Sequence, residues 1–437
     1  MRRLAALLTL LLVVLPGCGA ERPTVQATAA EPFTIAVIPD TQNYLSYKTE
    51  KSHGFALDAS ELFLAQMADI ASRAQSNGGD LAFVAAVGDV WQHQSIDMDE
   101  DHRSRGFEAI PNPYFGSELA PSEQTRAFEL PKAVEGYRLL AATGTPFGVA
   151  PGNHDYDAMW SAAGYPPNLA KSPAALTMTV ADLGMLHIGG LDNFRSVFGD
   201  DSEFFSGKPW YVASHKGGAS SAQVFKGGGY TFLNINLEMA AGDMVLAWAQ
   251  SVIDAHPGKP TIITTHDYLN TRGERRANPL VDLNRVDPEG HNSAEDVWRK
   301  LIAPNDQVFL VLCGHHHGQG RRVDENAAGN PVYQLLADYQ SRGQAGLDAG
   351  QPPNPGRGPA GIGDGWYRLM RFDLGDQPSV QVTTWSSHYR ALSTDLDSYA
   401  DWYKHREQPQ LTDTEFHATD SFTLDLAGFH QRFGGSR

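Results

Sequence analysis

Short apolar runs recur along the chain, and each ends the same way, in glycine, aspartate, asparagine or histidine. Phe33 to Pro39 delivers Asp40-Thr41-Gln42, Leu81 to Val87 delivers Gly88-Asp89, and Pro146 to Ala150 delivers Pro151-Gly152-Asn153-His154-Asp155. Thr261 to Thr265 delivers His266-Asp267, and Val308 to Cys313 delivers Gly314-His315-His316-His317-Gly318. Runs this short and this uniformly apolar predict strands buried on both faces. Between the first two, apolar residues at helical intervals from Glu61 to Ala74 stop at Asn77-Gly78-Gly79 and predict a helix. The resulting strand–helix–strand unit makes the sheet parallel there. In such sheets ligands bind at the carboxyl ends of the strands, where the polar residues sit. If the chain stays extended after Gly314, His315 and His317 face the same side.

Leu130 to Leu140 and Asp243 to Ala255 predict further helices, and Ser293 is placed to cap a helix through Ile302, with Asp296 in the capping-box position. Met185 to Gly189 and Tyr230 to Leu237 predict strands, with the stretch between them unassigned. Val332 to Leu336, Trp366 to Phe372, Val380 to Thr384 and Phe422 to Leu426 follow mostly without helices, which predicts a second, mixed or antiparallel layer. Gly350 to Gly365 reads as a loop, and residues 94–122, polar and broken by proline, read as an insertion at the rim.

The 437 residues carry a formal net charge of −17, which repels polyanions and excludes extended nucleic acid as an expected partner. At the N-terminus, Arg2 and Arg3 precede an apolar stretch from Leu4 to Leu15, the layout of an export signal. Leu15-Pro16-Gly17-Cys18 resembles a bacterial lipoprotein signal. Residues 1–19 are therefore expected to be a signal, 20–31 a flexible tether, and 32–437 one domain. The chain is read as exported, either anchored to a membrane through lipid on Cys18 or secreted into the periplasm or medium. Cys18 and Cys313 are the two cysteines, so a chain whose Cys18 is lipidated or removed has no intramolecular disulfide.

Taken in order, the motifs D-x-Q at Asp40, G-D at Asp89, G-N-H-D at Asn153, H at His266 and G-H-x-H at His315 resemble those of the calcineurin-like metallophosphoesterase superfamily, in particular exported bacterial members that read D-T-Q. The resemblance runs from Asp40 to His317. It implies an α/β fold, an α/β/β/α sandwich of two mixed sheets flanked by helices, and a hydrolase that splits phosphate monoesters or diesters of small molecules. It also implies two divalent transition metals, bridged by Asp89, with Asp40, Gln42 and His317 completing one site and Asn153, His266 and His315 the other. Mixed oxygen and nitrogen donors suit Mn, Fe or Zn. His154 resembles the family histidine that acts on the phosphoryl or leaving-group oxygen; Asp155 either holds its other ring nitrogen or caps the next helix. The family more often has histidine where Gln42 stands, so this first site is expected to be weaker or to prefer harder ions. His316 reads as a bystander. His93, His291 and Asn292 lie near motif loops, and Arg272, Arg275, Arg276, Arg321 and Arg322 are candidates for gripping an anion or for plain solvation. A metal-holding scaffold without turnover, or a metal-dependent hydrolase of another bond such as an amide, is consistent with the same residues.

Overall fold

The strand Phe33–Ile38 is buried along its whole length, and its alternation divides it between two cores: Ile35 and Val37 on one face, Ala36 and Ile38 on the other. The computed structural model describes residues 31–116, 119–171, 179–276, 278–355 and 357–434. The expected signal, Cys18 and nearly all of the tether lie outside the described residues.

Phe33–Ile38 pairs in parallel with Leu81–Ala86, and that strand pairs in parallel with Phe147–Val149. On its other edge Phe33–Ile38 meets Trp366–Asp373 antiparallel, and Ser379–Ser386 continues the sheet, carrying Ala391–Leu392 and Phe422–Asp425 beyond it. A second seven-stranded sheet has a parallel centre of Tyr230–Asn236, Thr261–Thr264, Val308–Cys313 and Pro331–Asp338. Its edges are antiparallel: Gly318–Glu325 on one side, Ser220–Gly227 and Tyr211–His215 on the other.

The sheets stack over a shared aromatic core that includes Phe33, Phe83, Phe232, Phe309 and Phe372. Helices Ala59–Ser72 and Leu130–Ala141 cover the outer face of the first sheet through Phe63, Met67, Tyr137 and Leu140. Asp243–Ala255 and the helical segment starting at Ala294 cover the second through Val245, Ala249, Leu301 and Ile302. This is the expected α/β/β/α sandwich of two mixed sheets. Ser293 caps its helix as its neighbours require: its Oγ accepts from Asp296 N at 3.2 Å and donates to Asp296 Oδ2 at 2.7 Å.

The late strands do not form the single separate layer that their sequence suggested. Gly318–Glu325 and Pro331–Asp338 form a hairpin that returns the chain beside Val308–Cys313, whereas Trp366–Asp373 crosses back to the first sheet. The rim segment contains a helix, Glu100–Ser104, and a short strand, Ala109–Ile110, that pairs with Ala158–Ala162. Leu186–Gly189 completes this small antiparallel sheet instead of joining either large one.

Candidate metal centre

The carboxyl ends of strands from both sheets converge, and glycine makes the convergence possible. A β-carbon on Gly314 would overlap Asp40 Oδ1, and one on Gly152 would overlap Asp89 Oδ1. Gly88 and Asp89 both take positive φ, 106° and 50°, which turns the chain sharply at the end of its strand.

Asp89 lies at the middle of the group. Its Oδ1 accepts from His154 N at 2.8 Å; its Oδ2 accepts from Gln42 Nε2 at 3.1 Å and stands 3.2 Å from His266 Nε2. His266 donates Nδ1–H to the Val87 carbonyl at 2.8 Å, which leaves Nε2 for other work, 3.2 Å from Asn153 Oδ1 and 3.1 Å from His315 Nδ1. Asp89, His266 and His315 offer ligand atoms within 4.8 Å of one another. Asp40 Oδ2 accepts from His315 N at 2.9 Å.

The expected extended run through the histidines is absent. His315 adopts φ 71° and His316 N bonds back to Gly314 O at 2.9 Å, so the segment turns. His315 is drawn into the buried group, while His317 stays exposed on the wall of the adjoining cleft. His316 pairs with Asp267 at 3.1 Å, and its ring stands beside that of His315 with centroids 5.2 Å apart.

Charge explains what the group is shaped to hold. Burial, with Asp338 next, pushes the Asp40 carboxyl well above the ordinary carboxylate range. Burial opposes a charge on His266, yet Asp89 and Asp40 outweigh it and hold the imidazole up at about 10. Burial would raise Asp89 too, but His266 and His154 outweigh it and hold that carboxyl below its usual value. His315 is pushed down to about 3 by burial, against the pull of Asp267. Asp40 and Asp89 thus call for positive charge at this point, which His266 supplies as an imidazolium and a bound cation would supply in its place. Asp40 Oδ1 and Gln42 Oε1 are buried with no hydrogen-bond partner, and an orphaned acceptor is costly without a cation or donor. Oxygen from Asp40, Asp89, Gln42 and Asn153 with nitrogen from His266 and His315 fits divalent Mn, Fe or Zn.

Asp155 is not the partner of His154. Its Oδ1 accepts from Val90 N and its Oδ2 from Gly152 N, both at 2.8 Å, so it ties two motif loops together. The His154 ring is fixed by Nδ1–H donating to the Gln92 carbonyl at 2.7 Å, which leaves Nε2 as the nitrogen available to a substrate. Sequence reading missed Gln340. Its Oε1 accepts from Gln42 Nε2 at 2.5 Å, and its Nε2 donates to Asp338 Oδ2 at 3.0 Å and Asp40 Oδ2 at 3.3 Å. A signal existed, because Asp338-Tyr339-Gln340 repeats the Asp-x-Gln spacing of Asp40-Thr41-Gln42 at another strand end. Asn278, bonded to His315 Nε2, was missed as well.

Three of the five candidate anion grips are engaged elsewhere. Arg275 pairs with Glu295 at 2.8 Å and Asp324 at 2.5 Å, Arg322 pairs with Asp324 at 2.5 Å, and Arg321 lies over the Phe422 ring. Arg276 lines a neighbouring cavity and Arg272 is exposed. His93 is tied to Glu129 at 2.6 Å, and Asn292 donates to the Ala241 carbonyl at 2.8 Å.

Gln42 provides a direct test of the ligand set. Gln42→His replaces a buried amide oxygen with an imidazole, so affinity for zinc is expected to rise relative to manganese, because nitrogen donors favour later transition metals. Titration of both forms with each metal checks this, and an unchanged zinc-to-manganese ratio would make Gln42 only a hydrogen-bonding support for Asp89.

A profile of the calcineurin-like phosphoesterase family matches residues 33–319. The uncharacterized protein YvnB of Bacillus subtilis is 27% identical over 270 residues, 60% of this chain but 16% of that protein, so the chain spans about a sixth of its relative's length. Similar solved structures include a dimetal phosphatase from Danio rerio (13% identity, 81% of this chain and 96% of that one, TM-score 0.33). GAP50 of Plasmodium, the anchor in the inner membrane complex, is similar at 9% identity over 93% of this chain and 95% of its own, TM-score 0.36.

Proposed function

The chain belongs to the calcineurin-like phosphoesterase family, and from that premise we propose that it hydrolyses phosphate esters at a dinuclear metal centre. The observation that carries this reading is the buried meeting of Asp40, Asp89, Asn153, His266 and His315, with Asp40 Oδ1 and Gln42 Oε1 unsatisfied, at the base of a cleft that His154 also lines. Asp40, Gln42, Asp89 and His317 would hold one cation and Asp89, Asn153, His266 and His315 the other. Two divalent cations bound there supply Lewis acidity, acidifying water and neutralising phosphoryl charge. The protein's own groups do the rest. Asp89 takes the His154 backbone amide and so fixes that loop, while the Gln92 carbonyl holds a proton on His154 Nδ1 and leaves Nε2 uncommitted, so that the imidazolium, carrying a second proton at Nε2, would give that proton to the departing alkoxide and return to the neutral ring.

The cleft also narrows the substrate class. Its walls include Phe115, Leu119, Met159, Leu186, Leu280 and Val281, and among the described residues no lysine or arginine lines it. Such a wall favours an ester with one phosphoryl group and an apolar alcohol over a polyanionic nucleotide. The segment from Arg2 to Cys18 supports placing this activity outside the cytoplasm, with Cys18 as the point of lipid attachment.

The test is a panel of mono- and diesters assayed after chelation, with Mn, Fe or Zn restored singly. Metal-dependent turnover with higher kcat/KM for aryl or alkyl esters than for nucleotides is expected. No turnover with any ester and metal would leave a metal-holding scaffold, and preference for nucleotides would overturn the substrate class alone.

A further inference from the structure

Beside the small sheet, three imidazoles surround one carboxylate oxygen. Asp287 Oδ2 lies 3.3 Å from His187 Nε2, 3.5 Å from His102 Nε2 and 3.5 Å from His291 Nε2. Every one of these rings already uses its other nitrogen on an acceptor that requires a proton there. His102 Nδ1 bonds the Asp99 carboxylate at 2.7 Å, His187 Nδ1 the Ile188 carbonyl at 2.8 Å, and His291 Nδ1 the Ala240 carbonyl at 2.9 Å. The neutral rings therefore present lone pairs at Nε2, facing an oxygen that itself has only lone pairs to offer. Acceptors gathered in this way repel one another unless a cation stands among them.

Two of these atoms, His187 Nε2 and Asp287 Oδ2, have no hydrogen-bond partner, and their side chains are 0% and 1% exposed. The remaining oxygen of Asp287 is satisfied, accepting from Glu289 N at 2.9 Å and from Arg105. Oδ2 is thus left over for a separate purpose.

We propose that His102, His187, Asp287 and His291 form a further divalent-cation site, distinct from the dinuclear centre and of the structural zinc type. Three nitrogens and one carboxylate oxygen are a zinc donor set. In a tetrahedral site with bonds of ~2.0–2.1 Å, neighbouring ligand atoms are separated by roughly 3.3–3.4 Å, close to the spacings about Asp287 Oδ2. Ligand atoms of His102, His187 and Asp287 lie within 4.8 Å of one another, and His291, 24% exposed, is the outermost of the four. Support from the next layer is already in place. The Asp99–His102 pair is the carboxylate–histidine arrangement that orients metal ligands, and Trp160 stacks on the His187 ring with centroids 4.5 Å apart.

The site would do the work of a cross-link. His102 belongs to the rim segment, His187 to the small sheet, and Asp287 and His291 to the loop after the helix Leu283–Val286. A cation here pins the rim that supplies Phe115 and Leu119 to the cleft, in a chain with two cysteines.

The experiment loads the full chain and its variants with zinc or cobalt, then combines elemental analysis with cobalt absorption. The Asp89→Asn chain is expected to retain a cation that gives the strong visible bands of four-coordinate cobalt, and His187→Gln added to it should remove both cation and bands. Two milder variants guard against misfolding. His291→Gln in the natural background should lower cation content by one per chain under limiting metal, and Asp99→Asn should weaken that cation by ~10–100-fold, as loss of a supporting carboxylate does. Unchanged cation content and affinity in His291→Gln and Asp99→Asn, with no four-coordinate cobalt signal, would overturn the site and leave a proton holding the cluster together. Turnover by the dinuclear centre is read separately, so failure of one reading does not mimic failure of the other.

Discussion

Asp89→Asn is expected to cut phosphoester turnover by roughly 10³-fold or more, the scale of losing several kcal/mol of metal-borne charge stabilisation. The reason is its place. Asp89 Oδ2 faces His266 Nε2 at 3.2 Å and Gln42 Nε2 at 3.1 Å, so one carboxylate is shared by ligands assigned to both cations. Asparagine keeps an oxygen that can still accept from His154 N, so the loop at Gly152 is expected to hold. What disappears is the negative charge that offsets two dications, and at least one cation should be lost with it. Activity against an aryl phosphate, with metal content by elemental analysis, measures both. Full turnover with both cations retained would remove Asp89 from the bridging role.

The strand ends were legible because several independent needs fall on neighbouring residues. A buried parallel strand must be apolar, the following turn needs glycine where Gly314 and Gly152 approach Asp40 and Asp89, and the ligand must come next. Together these leave a pattern of spacing and composition. Asp155 was ambiguous for the opposite reason, since a carboxylate beside a histidine reads the same whether it holds the ring or two backbone amides. His315 depended on a backbone angle, φ 71°, that its identity does not announce. Gln340 and Asn278 act through side-chain amides carried on loops, and their contacts with Gln42 and His315 depend on how distant segments dock. The histidine cluster at Asp287 was least legible of all. Its ligands come from three segments with no fixed spacing, and the folding of the rim against the small sheet is what unites them.

His154→Ala is expected to cost on the order of 10²–10⁴ in kcat with metal content unchanged, the range for loss of a general acid or base. The substitution is clean, because the contact with Asp89 Oδ1 uses the His154 backbone amide and survives in alanine. The ring's Nδ1–H is committed to the Gln92 carbonyl, so Nε2 is the nitrogen that can serve the leaving oxygen. A proton donor matters most when the alkoxide is a poor leaving group. The loss should therefore be steeper for alkyl than for nitrophenyl esters, and a plot of log kcat against leaving-group pKa should gain a more negative slope. Asp155→Asn supplies the contrast. Both Asp155 oxygens accept backbone N–H groups, from Val90 and Gly152, and the amide can satisfy only one. The cost, ~1–3 kcal/mol for a buried group left unmatched, should appear as a lower Tm while the leaving-group slope stays as in the parent. If alanine at 154 reduces every ester by the same factor, the imidazole stabilises phosphoryl charge in the transition state without transferring a proton to the alcohol.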